Sequence, residues 1–378
     1  MTERGVVLLT GATGFLGREI LWRLLRGSQD QVVCLVRAGS DEEAAARLAA
    51  VLDGARPAPL SAGERARARA LPGDITREQL GLTPARWEEL ARELGRIVHG
   101  AASVRFDMPL DEARAVNVTG TERILSLGLA AAGRGCLERF DYVGTAYVAG
   151  TRAGPVGEEE LDAGQGFHNT YEQTKFEAEK LVRERRGGLP VRLFRPSIVV
   201  GDSRTGFTSS FKVLYWPLKM LSRGLLFAVP ARAWGVVDLV PVDYVCDAIE
   251  ALSADPATLG KCFHLAAGPE RASTIGDLLD LASRYFDARK PILIPPETFY
   301  SWVRPLVYLV AWGRRRQTLR SGRVYAPYLA LESSFDTGQA RTGLAGKGIE
   351  VPPVRDYFER IMDYAVRSDW GKAPADGA

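Results

Sequence analysis

Residues 10–17 read Thr-Gly-Ala-Thr-Gly-Phe-Leu-Gly and directly follow the apolar run of residues 6–9. The run predicts a buried strand, and the mixture of apolar and charged residues after the glycines predicts an amphipathic helix. A strand, a glycine turn and a helix start together form an anion site, because free backbone N–H groups and the helix dipole favour a phosphate. Gly11 permits the tight turn, Gly14 lets the backbone approach a pyrophosphate, and Gly17 lets the helix pack close to the strand. The segment therefore predicts dinucleotide binding rather than an ordinary loop.

Composition narrows the class of protein. The chain has 378 residues, of which 46% are hydrophobic, enough for a large α/β core and a smaller lobe. Its 49 basic and 46 acidic residues nearly balance, which argues against a nucleic-acid-binding protein. The four cysteines form no C-x-x-C pair and the three histidines are not at ligand spacing, so we expect no metal site.

Targeting features point to the cytoplasm. The first apolar run is already the first strand, so no secretory signal precedes it. No apolar stretch has the length that crossing a bilayer requires. We expect a cytoplasmic protein with reduced cysteines.

Strand-like and helix-like segments alternate along the first half of the chain. Strands are predicted at residues 31–36, 96–99, 140–143 and 191–194, and helices near residues 41–52, 84–94, 111–132 and from 170. This alternation predicts an α/β fold, a Rossmann-type doubly wound parallel sheet. We assign residues 1–200 to an NADP(H)-binding core and 201–378 mainly to a smaller C-terminal substrate-binding lobe. Segments within about 236–270 are expected to return to the core.

Residues 295–328 are rich in aromatic side chains, which indicate either helices that complete a core or an apolar lid over a greasy substrate. A basic cluster lies in the same stretch, at Arg314, Arg315, Arg316, Arg320 and Arg323. A solvated helix face explains the cluster best, with an anionic ligand or peripheral contact with a lipid surface as the second interpretation.

Arg37 follows the second predicted strand, where dinucleotide-binding folds select their cofactor. An acidic residue there would accept hydrogen bonds from a ribose 2′-hydroxyl, whereas an arginine pairs with a 2′-phosphate. Arg37 therefore indicates NADP(H). Arg47, on the following helix, is equally well explained as a second phosphate ligand or as a surface charge.

Tyr171 and Lys175 lie one helical turn apart and share a face of the predicted helix. An unperturbed tyrosine has a pKa of about 10, so it is a poor acid–base group near neutral pH. We expect the neighbouring ammonium and a positively charged nicotinamide to lower that pKa. Thr145 follows the preceding strand, at the sheet edge where ligands bind, and completes the predicted acid–base group.

These motifs, in this order, resemble the extended short-chain dehydrogenase/reductases, and most closely the thioester reductase and fatty acyl-CoA reductase (male sterility-type) branch. The resemblance runs from residue 5 to about 270 and fades beyond it. It rests on residues 10–17, 35–38, 73–75, 99–106, 117–121, 145–148, Tyr171, Lys175 and residues 195–197.

The resemblance implies a role for each matching position. A pyrophosphate would lie against the glycine turn and a 2′-phosphate against the two arginines, with the adenine, the nicotinamide and its carboxamide further along the sheet edge. In that order the cofactor residues are Gly11, Thr13, Gly14, Phe15, Leu16, Gly17, Arg37, Arg47, Asp74, Ile75, Ala101, Ala102, Pro196 and Ser197. Lys175 would bond the nicotinamide ribose, Tyr171 would donate the proton, and Thr145 would donate a hydrogen bond to the substrate oxygen.

The implied reaction is hydride transfer from NADPH to a thioester carbonyl, which gives an aldehyde and a thiol. The acyl group would arrive on coenzyme A or on a carrier protein in trans. Whether a second hydride yields an alcohol, the identity of the acyl chain and the oligomeric state stay open.

Three other functions remain. An alcohol or hydroxysteroid-type dehydrogenase would share NADP and an apolar pocket. A sugar-nucleotide epimerase or dehydratase is disfavoured by Arg37, because such enzymes hold NAD. A non-catalytic NADP(H) sensor is disfavoured because both Tyr171 and Lys175 are present.

Overall fold

The computed structural model describes residues 5–54, 59–303, 328 and 332–372. The strands are, in chain order, β1 (Val6–Thr10), β2 (Gln31–Val36), β3 (Ala68–Pro72), β4 (Leu94–His99), β5 (Arg139–Val143), β6 (Gly154–Val156), β7 (Val191–Pro196), β8 (Ile198–Val200), β9 (Ala228–Pro230), β10 (Val236–Val237), β11 (Leu239–Pro241), β12 (Cys262–Leu265), β13 (Ser273–Thr274), β14 (Ile292–Ile294) and β15 (Ser333–Phe335).

The helices are α1 (Phe15–Gly27), α2 (Asp41–Leu52), α3 (Ala62–Arg65), α4 (Pro84–Glu93), α5 (Leu110–Arg114), α6 (Gly120–Ala132), α7 (Thr170–Glu184), α8 (Tyr215–Ser222), α9 (Val242–Ser253), α10 (Gly268–Arg271), α11 (Ile275–Tyr285), α12 (Pro296–Thr298), α13 (Gly338–Leu344) and α14 (Phe358–Arg367). The helix predicted over residues 111–132 is α5 and α6 joined by a π-helical turn, Ala115–Thr119.

Seven strands form the central sheet, in the order β3-β2-β1-β4-β5-β7-β12. Every pair in this sheet is parallel. The predicted doubly wound α/β fold is therefore confirmed. The strand order reverses beside β1, where the carboxyl ends of β1 and β4 leave a crevice that binds ligands in folds of this type.

Alternating side chains of β1 bury opposite faces of the sheet. Val7 and Leu9 pack in a cluster with residues of α1, α2 and α9. Leu8 packs in a second cluster, with residues of α4, α6 and α7. Because both faces are covered by helices, β1 is apolar from Val6 to Leu9 and β2 from Val32 to Val36, as is usual for strands of parallel sheets in α/β proteins.

The chain after residue 200 contributes both to the sheet and to a separate cluster. Strand β12 extends the central sheet beyond β7, and α9 packs against α1. A third apolar cluster includes residues of α8, α11 and α14 together with Tyr147 and Tyr328. The division at residue 200 stays a prediction.

No helix among the described residues is long and apolar enough to cross a membrane. Within the same residues, no group of three or more His, Cys, Asp or Glu side chains could hold a metal ion. The basic cluster between Arg314 and Arg323, and the aromatic stretch apart from residues 295–303 and Tyr328, lie outside the described residues.

Candidate active site

The glycine turn between β1 and α1 has the geometry of a phosphate cradle. Gly11 has a φ of +80°, and a Cβ there would lie 2.9 Å from the Ala101 nitrogen. The Gly14 N–H donates to the Gly11 carbonyl at 2.9 Å. Helix α1 begins at Phe15, and its N-cap residue Gly14 has no side chain to cap it. Its first turn contains no acidic residue, so its positive end is open to an anion. These residues fit a dinucleotide pyrophosphate.

Glycine at position 17 allows α1 to lie close to the glycine turn, whereas the sequence predicted a close contact between the helix and the strand. A Cβ at position 17 would lie 2.1 Å from the Gly11 carbonyl oxygen, so the close approach is between the helix and the turn itself. Thr13 is exposed on the turn, Phe15 and Leu16 are half-buried at the helix start, and the Thr13 carbonyl accepts from Arg18 at 3.2 Å.

Arg37, Arg47 and Asp74 lie together at the ends of β2 and β3. The Arg47 guanidinium donates to the Arg37 carbonyl at 2.8 Å and pairs with Glu43 at 2.9 Å. Burial would raise the pKa of Asp74, but hydrogen bonds from Thr76 and the nearby charge of Arg37 hold it below its usual value. The structure therefore places the Arg47 guanidinium against the Arg37 backbone, with the Asp74 carboxylate in the field of the Arg37 charge, beside the carboxyl end of β2.

The remaining predicted cofactor residues line the carboxyl edge of the sheet. Ala101 and Ala102 follow β4 and are half-buried. Ile75 packs against Gly120, where an added Cβ would lie 2.8 Å from Ile75 Cδ1. Pro196 ends β7, and Ser197 follows it, with its N–H donating to the Leu265 carbonyl at 3.2 Å.

A buried hydrogen-bond chain joins this edge to α7. The Ala101 N–H donates to Thr10 Oγ1 at 3.1 Å, and Thr10 Oγ1 lies 2.7 Å from His99 Nδ1. His99 Nε2 lies 3.0 Å from Thr121 Oγ1, whose hydroxyl donates to the Asn117 carbonyl at 2.6 Å. Because Thr121 gives its own proton to the Asn117 carbonyl, it accepts from His99 Nε2. We therefore assign the proton of neutral His99 to Nε2. Burial, with the charge of Lys175, lowers the pKa of His99 to about 3.

Asn117 extends the hydrogen-bond chain to α7. It sits in the π-helical turn, where its side chain accepts from the Ser103 N–H at 2.7 Å and donates to Thr174 Oγ1 at 2.9 Å. Thr174 in turn donates to the Thr170 carbonyl at 2.7 Å. Sequence reasoning assigned no role to His99 or Asn117, although both lie in the motifs that carried the resemblance.

Helix α7 places Tyr171 in its first turn. Asn169 caps the helix by accepting from the Glu172 N–H at 3.0 Å. The hydroxyls of Tyr171 and Thr145 interact, since Thr145 opposes the rise in the pKa of Tyr171, and Thr145 donates to the Pro196 carbonyl at 3.4 Å. The two hydroxyls are therefore positioned to contact one substrate oxygen.

The pKa of Tyr171 differs from the expected one. Burial raises it to about 12; the interaction with Thr145 opposes the shift and the charge of Glu172 adds to it. Lys175 is not among the causes of this shift, and its Nζ donates to the Val143 carbonyl at 2.9 Å. Tyr171 is therefore a neutral phenol at neutral pH, as a proton donor must be.

Lys175 is itself buried, with its Nζ 4.4 Å from the centroid of the Tyr142 ring. Burial lowers its pKa to about 7, and the Glu179 carboxylate opposes that shift. Glu179 fixes this part of α7 to β7, since it accepts from Arg195 at 2.7 and 2.9 Å.

The chain matches the male sterility protein family model over residues 9–249. An isonitrile lipopeptide synthase of Streptomyces coeruleorubidus is 32% identical over 387 residues, which cover 98% of this chain and 25% of that protein. A carboxylic acid reductase of Mycobacterium marinum is 31% identical over 291 residues, 70% of this chain and 24% of that protein. The chain thus spans about a quarter of the length of these relatives.

A solved structure is similar over nearly its whole length. The terminal R domain from the myxalamid PKS-NRPS biosynthetic pathway superimposes with a TM-score of 0.83 at 29% identity, covering 99% of this chain and 94% of that one. Since the family model covers well over half of the sequence, the chain belongs to the NAD-binding male sterility protein family of extended short-chain dehydrogenase/reductases.

Proposed function

We propose that this chain is an NADPH-dependent reductase that converts an acyl thioester to an aldehyde. Membership of the family makes it an NAD(P)-dependent oxidoreductase. The observation that carries the finer proposal is the interacting pair of Thr145 and Tyr171 hydroxyls at the carboxyl edge of β5 and β7. Similarity to an R domain and to a carboxylic acid reductase supports a substrate at the carboxylate level of oxidation.

The two hydroxyls suit an oxygen that gains negative charge. When bound, a reduced nicotinamide supplies a hydride for the thioester carbonyl carbon. Thr145 and Tyr171 donate hydrogen bonds to the carbonyl oxygen as its charge develops, and Tyr171 transfers a proton to it. The resulting hemithioacetal loses its thiol when the C–S bond breaks, which leaves the aldehyde. A second round on the aldehyde would give an alcohol.

Arg37 and Arg47 support NADPH over NADH. Both guanidinium groups lie near the end of β2, and a 2′-phosphate would compete with Glu43 for Arg47. Charge-assisted bonds to phosphate are stronger than neutral ones, so the phosphorylated cofactor gains affinity that NADH lacks. Lys175 would turn from the Val143 carbonyl to the nicotinamide ribose when the cofactor binds.

We assign substrate binding mainly to residues 201–378 and cofactor binding mainly to residues 1–200. The acyl group would be carried by coenzyme A or by a carrier protein. The apolar cluster of α8, α11 and α14, which adjoins Tyr147, offers a surface for an acyl chain next to the reacting hydroxyls.

The test follows NADPH absorbance with acyl-CoA and carrier-bound thioesters, aldehydes, and secondary alcohols with NADP, and traps the aldehyde product. NADPH oxidation with thioesters, accompanied by release of one thiol for each aldehyde formed, is expected. Turnover with a secondary alcohol and NADP alone would overturn the proposal in favour of an alcohol dehydrogenase.

A further inference from the structure

Glu172, the residue after Tyr171, is a buried carboxylate with donors on both oxygens. Its Oε2 accepts from the backbone N–H of His168 and faces His168 Nδ1, each at 2.9 Å. Its Oε1 accepts from the hydroxyl of Tyr328 at 2.7 Å. The proposed reaction uses neither Glu172 nor Tyr328.

Tyr328 lies 156 residues away in sequence, yet it bonds the start of α7 twice. Its hydroxyl also accepts from Asn169 Nδ2 at 3.0 Å. Asn169 is the helix cap and Glu172 is the third residue of the helix, so the two partners of Tyr328 enclose Tyr171 in sequence.

The ring of Tyr328 is packed among the neighbours of the reacting hydroxyls. It stacks on Phe106 with centroids 5.2 Å apart, and Phe106 lies 5.6 Å from the Tyr171 ring. It meets the Tyr147 ring edge-on at 5.2 Å, and the Tyr147 N–H donates to Thr145 Oγ1 at 3.3 Å. Only 5% of Tyr328 is exposed.

We infer that Tyr328 is a positioning residue for the reaction, which acts through Glu172 and Asn169 to fix the first turn of α7 and with it the Tyr171 hydroxyl. The inference rests on the proposed function in that it takes Tyr171 as the proton donor. Removal of the Tyr328 hydroxyl leaves Oε1 of the buried Glu172 carboxylate without this hydrogen bond, which costs free energy. We expect the first turn of α7 to shift in response. Proton transfer is sensitive to such shifts.

The first experiment compares Tyr328→Phe with Ser253→Ala. The control removes a matching bond between α9 and β5, because the buried Ser253 hydroxyl donates to the buried Asp141 carboxylate at 2.6 Å. With octanoyl-CoA as the probe, Tyr328→Phe should lower kcat about tenfold and leave the KM for NADPH within about twofold, whereas Ser253→Ala should change neither. An unchanged kcat in folded Tyr328→Phe would overturn the inference.

Glu172→Gln separates positioning from a general loss of stability. Because Tyr328 acts through Glu172, the double variant Glu172→Gln, Tyr328→Phe should lose no more activity than the more damaged single variant. Multiplicative losses would overturn the inference.

The pH profile distinguishes the two single variants. The groups that interact with Tyr171 are Thr145, the phenols of Tyr142 and Tyr147, and Glu172, with His168 behind Glu172; the ammonium of Lys175 is directed at Val143. Removal of the Glu172 charge should move the alkaline limb of kcat to lower pH, whereas Tyr328→Phe, which keeps the charge, should not. The same downward shift in both variants would contradict a positioning role for Tyr328.

A measurement that needs no turnover tests the inference about Tyr328 independently of the proposed function. If the wild-type protein oxidises no NADPH with any thioester, the proposed function fails. Amide hydrogen exchange over residues 168–174 still tests the contact: faster exchange in Tyr328→Phe than in Ser253→Ala supports it, and equal exchange overturns it.

Discussion

The Lys175 ammonium lies over the ring of Tyr142, 4.4 Å from its centroid, inside the protein. Lys175 Nζ also donates to the Val143 carbonyl at 2.9 Å, so the charge is compensated by a ring face and a carbonyl dipole. This apolar setting explains why burial lowers the pKa of Lys175 to about 7, even though Glu179 opposes the shift. The group can therefore change protonation near neutral pH, which a surface lysine does not do.

Lys175→Met should reveal this titration in stability. Between pH 7 and about 10.5 the unfolded chain binds more protons at Lys175 than the folded chain does, so the free energy of unfolding rises with pH across that window. The methionine variant lacks this rise. Its stability advantage over the wild type, measured by urea unfolding, should be largest at pH 7 and shrink by pH 9. A constant difference would show that Lys175 is not titrating there.

His99 should make the protein sensitive to acid. Its folded pKa of about 3 lies below the ordinary value of 6.5, so its contribution to stability is present above pH 6.5 and is lost as the pH falls toward 3. His264 shares this lowered pKa, so His99→Gln should remove only part of the effect. Urea unfolding at pH 6.5 and pH 4.5 should show a smaller loss in the variant than in the wild type; an equal loss would count against a neutral His99.

Arg37→Ser should reduce selectivity for NADPH. Loss of a charge-assisted bond to a 2′-phosphate should weaken NADPH binding by about 10- to 100-fold and change NADH binding little. Arg86→Ser is the matched control, since Arg86 is an exposed arginine paired with Asp41 at 3.0 Å. Titration of both cofactors by fluorescence measures the effect. Equal weakening of NADPH and NADH would place the 2′-phosphate elsewhere.

Gly17→Ala should damage the phosphate cradle. Its Cβ would lie 2.1 Å from the Gly11 carbonyl, a backbone atom that cannot yield cheaply. Gly27→Ala, at the other end of the same helix, meets nothing within 4 Å and should be neutral or stabilising by up to about 1 kcal/mol. Thermal unfolding and NADPH affinity should both fall for Gly17→Ala alone. Wild-type affinity in that variant would contradict the proposed cradle.

Much of the cofactor half was predictable because its signals are local. The turn of residues 10–17 joins a strand to a helix over consecutive residues, and Arg37 directly follows β2. Periodicity also predicted the helix over residues 111–132, but not its π-helical turn, because the five residues Ala115–Thr119 are too few to show a period of their own.

The rest depends on contacts between distant parts of the chain. Spacing placed Tyr171 and Lys175 on one helix face, yet it could not show that Lys175 bonds Val143 or that burial raises the pKa of Tyr171. No local pattern connects Tyr328 to Glu172, because 156 residues separate them and only the folded chain brings them together.

The most direct test of the account is a single-turnover experiment with Tyr171→Phe and Thr145→Val. Protein loaded with NADPH is mixed rapidly with octanoyl-CoA, and the loss of NADPH absorbance reports hydride transfer. We predict a wild-type burst that slows by about 10²- to 10⁴-fold in Tyr171→Phe and about 10²- to 10³-fold in Thr145→Val, with NADPH affinity unchanged in both. A burst of wild-type rate in Tyr171→Phe, or none in the wild type with any acyl thioester, would contradict the account.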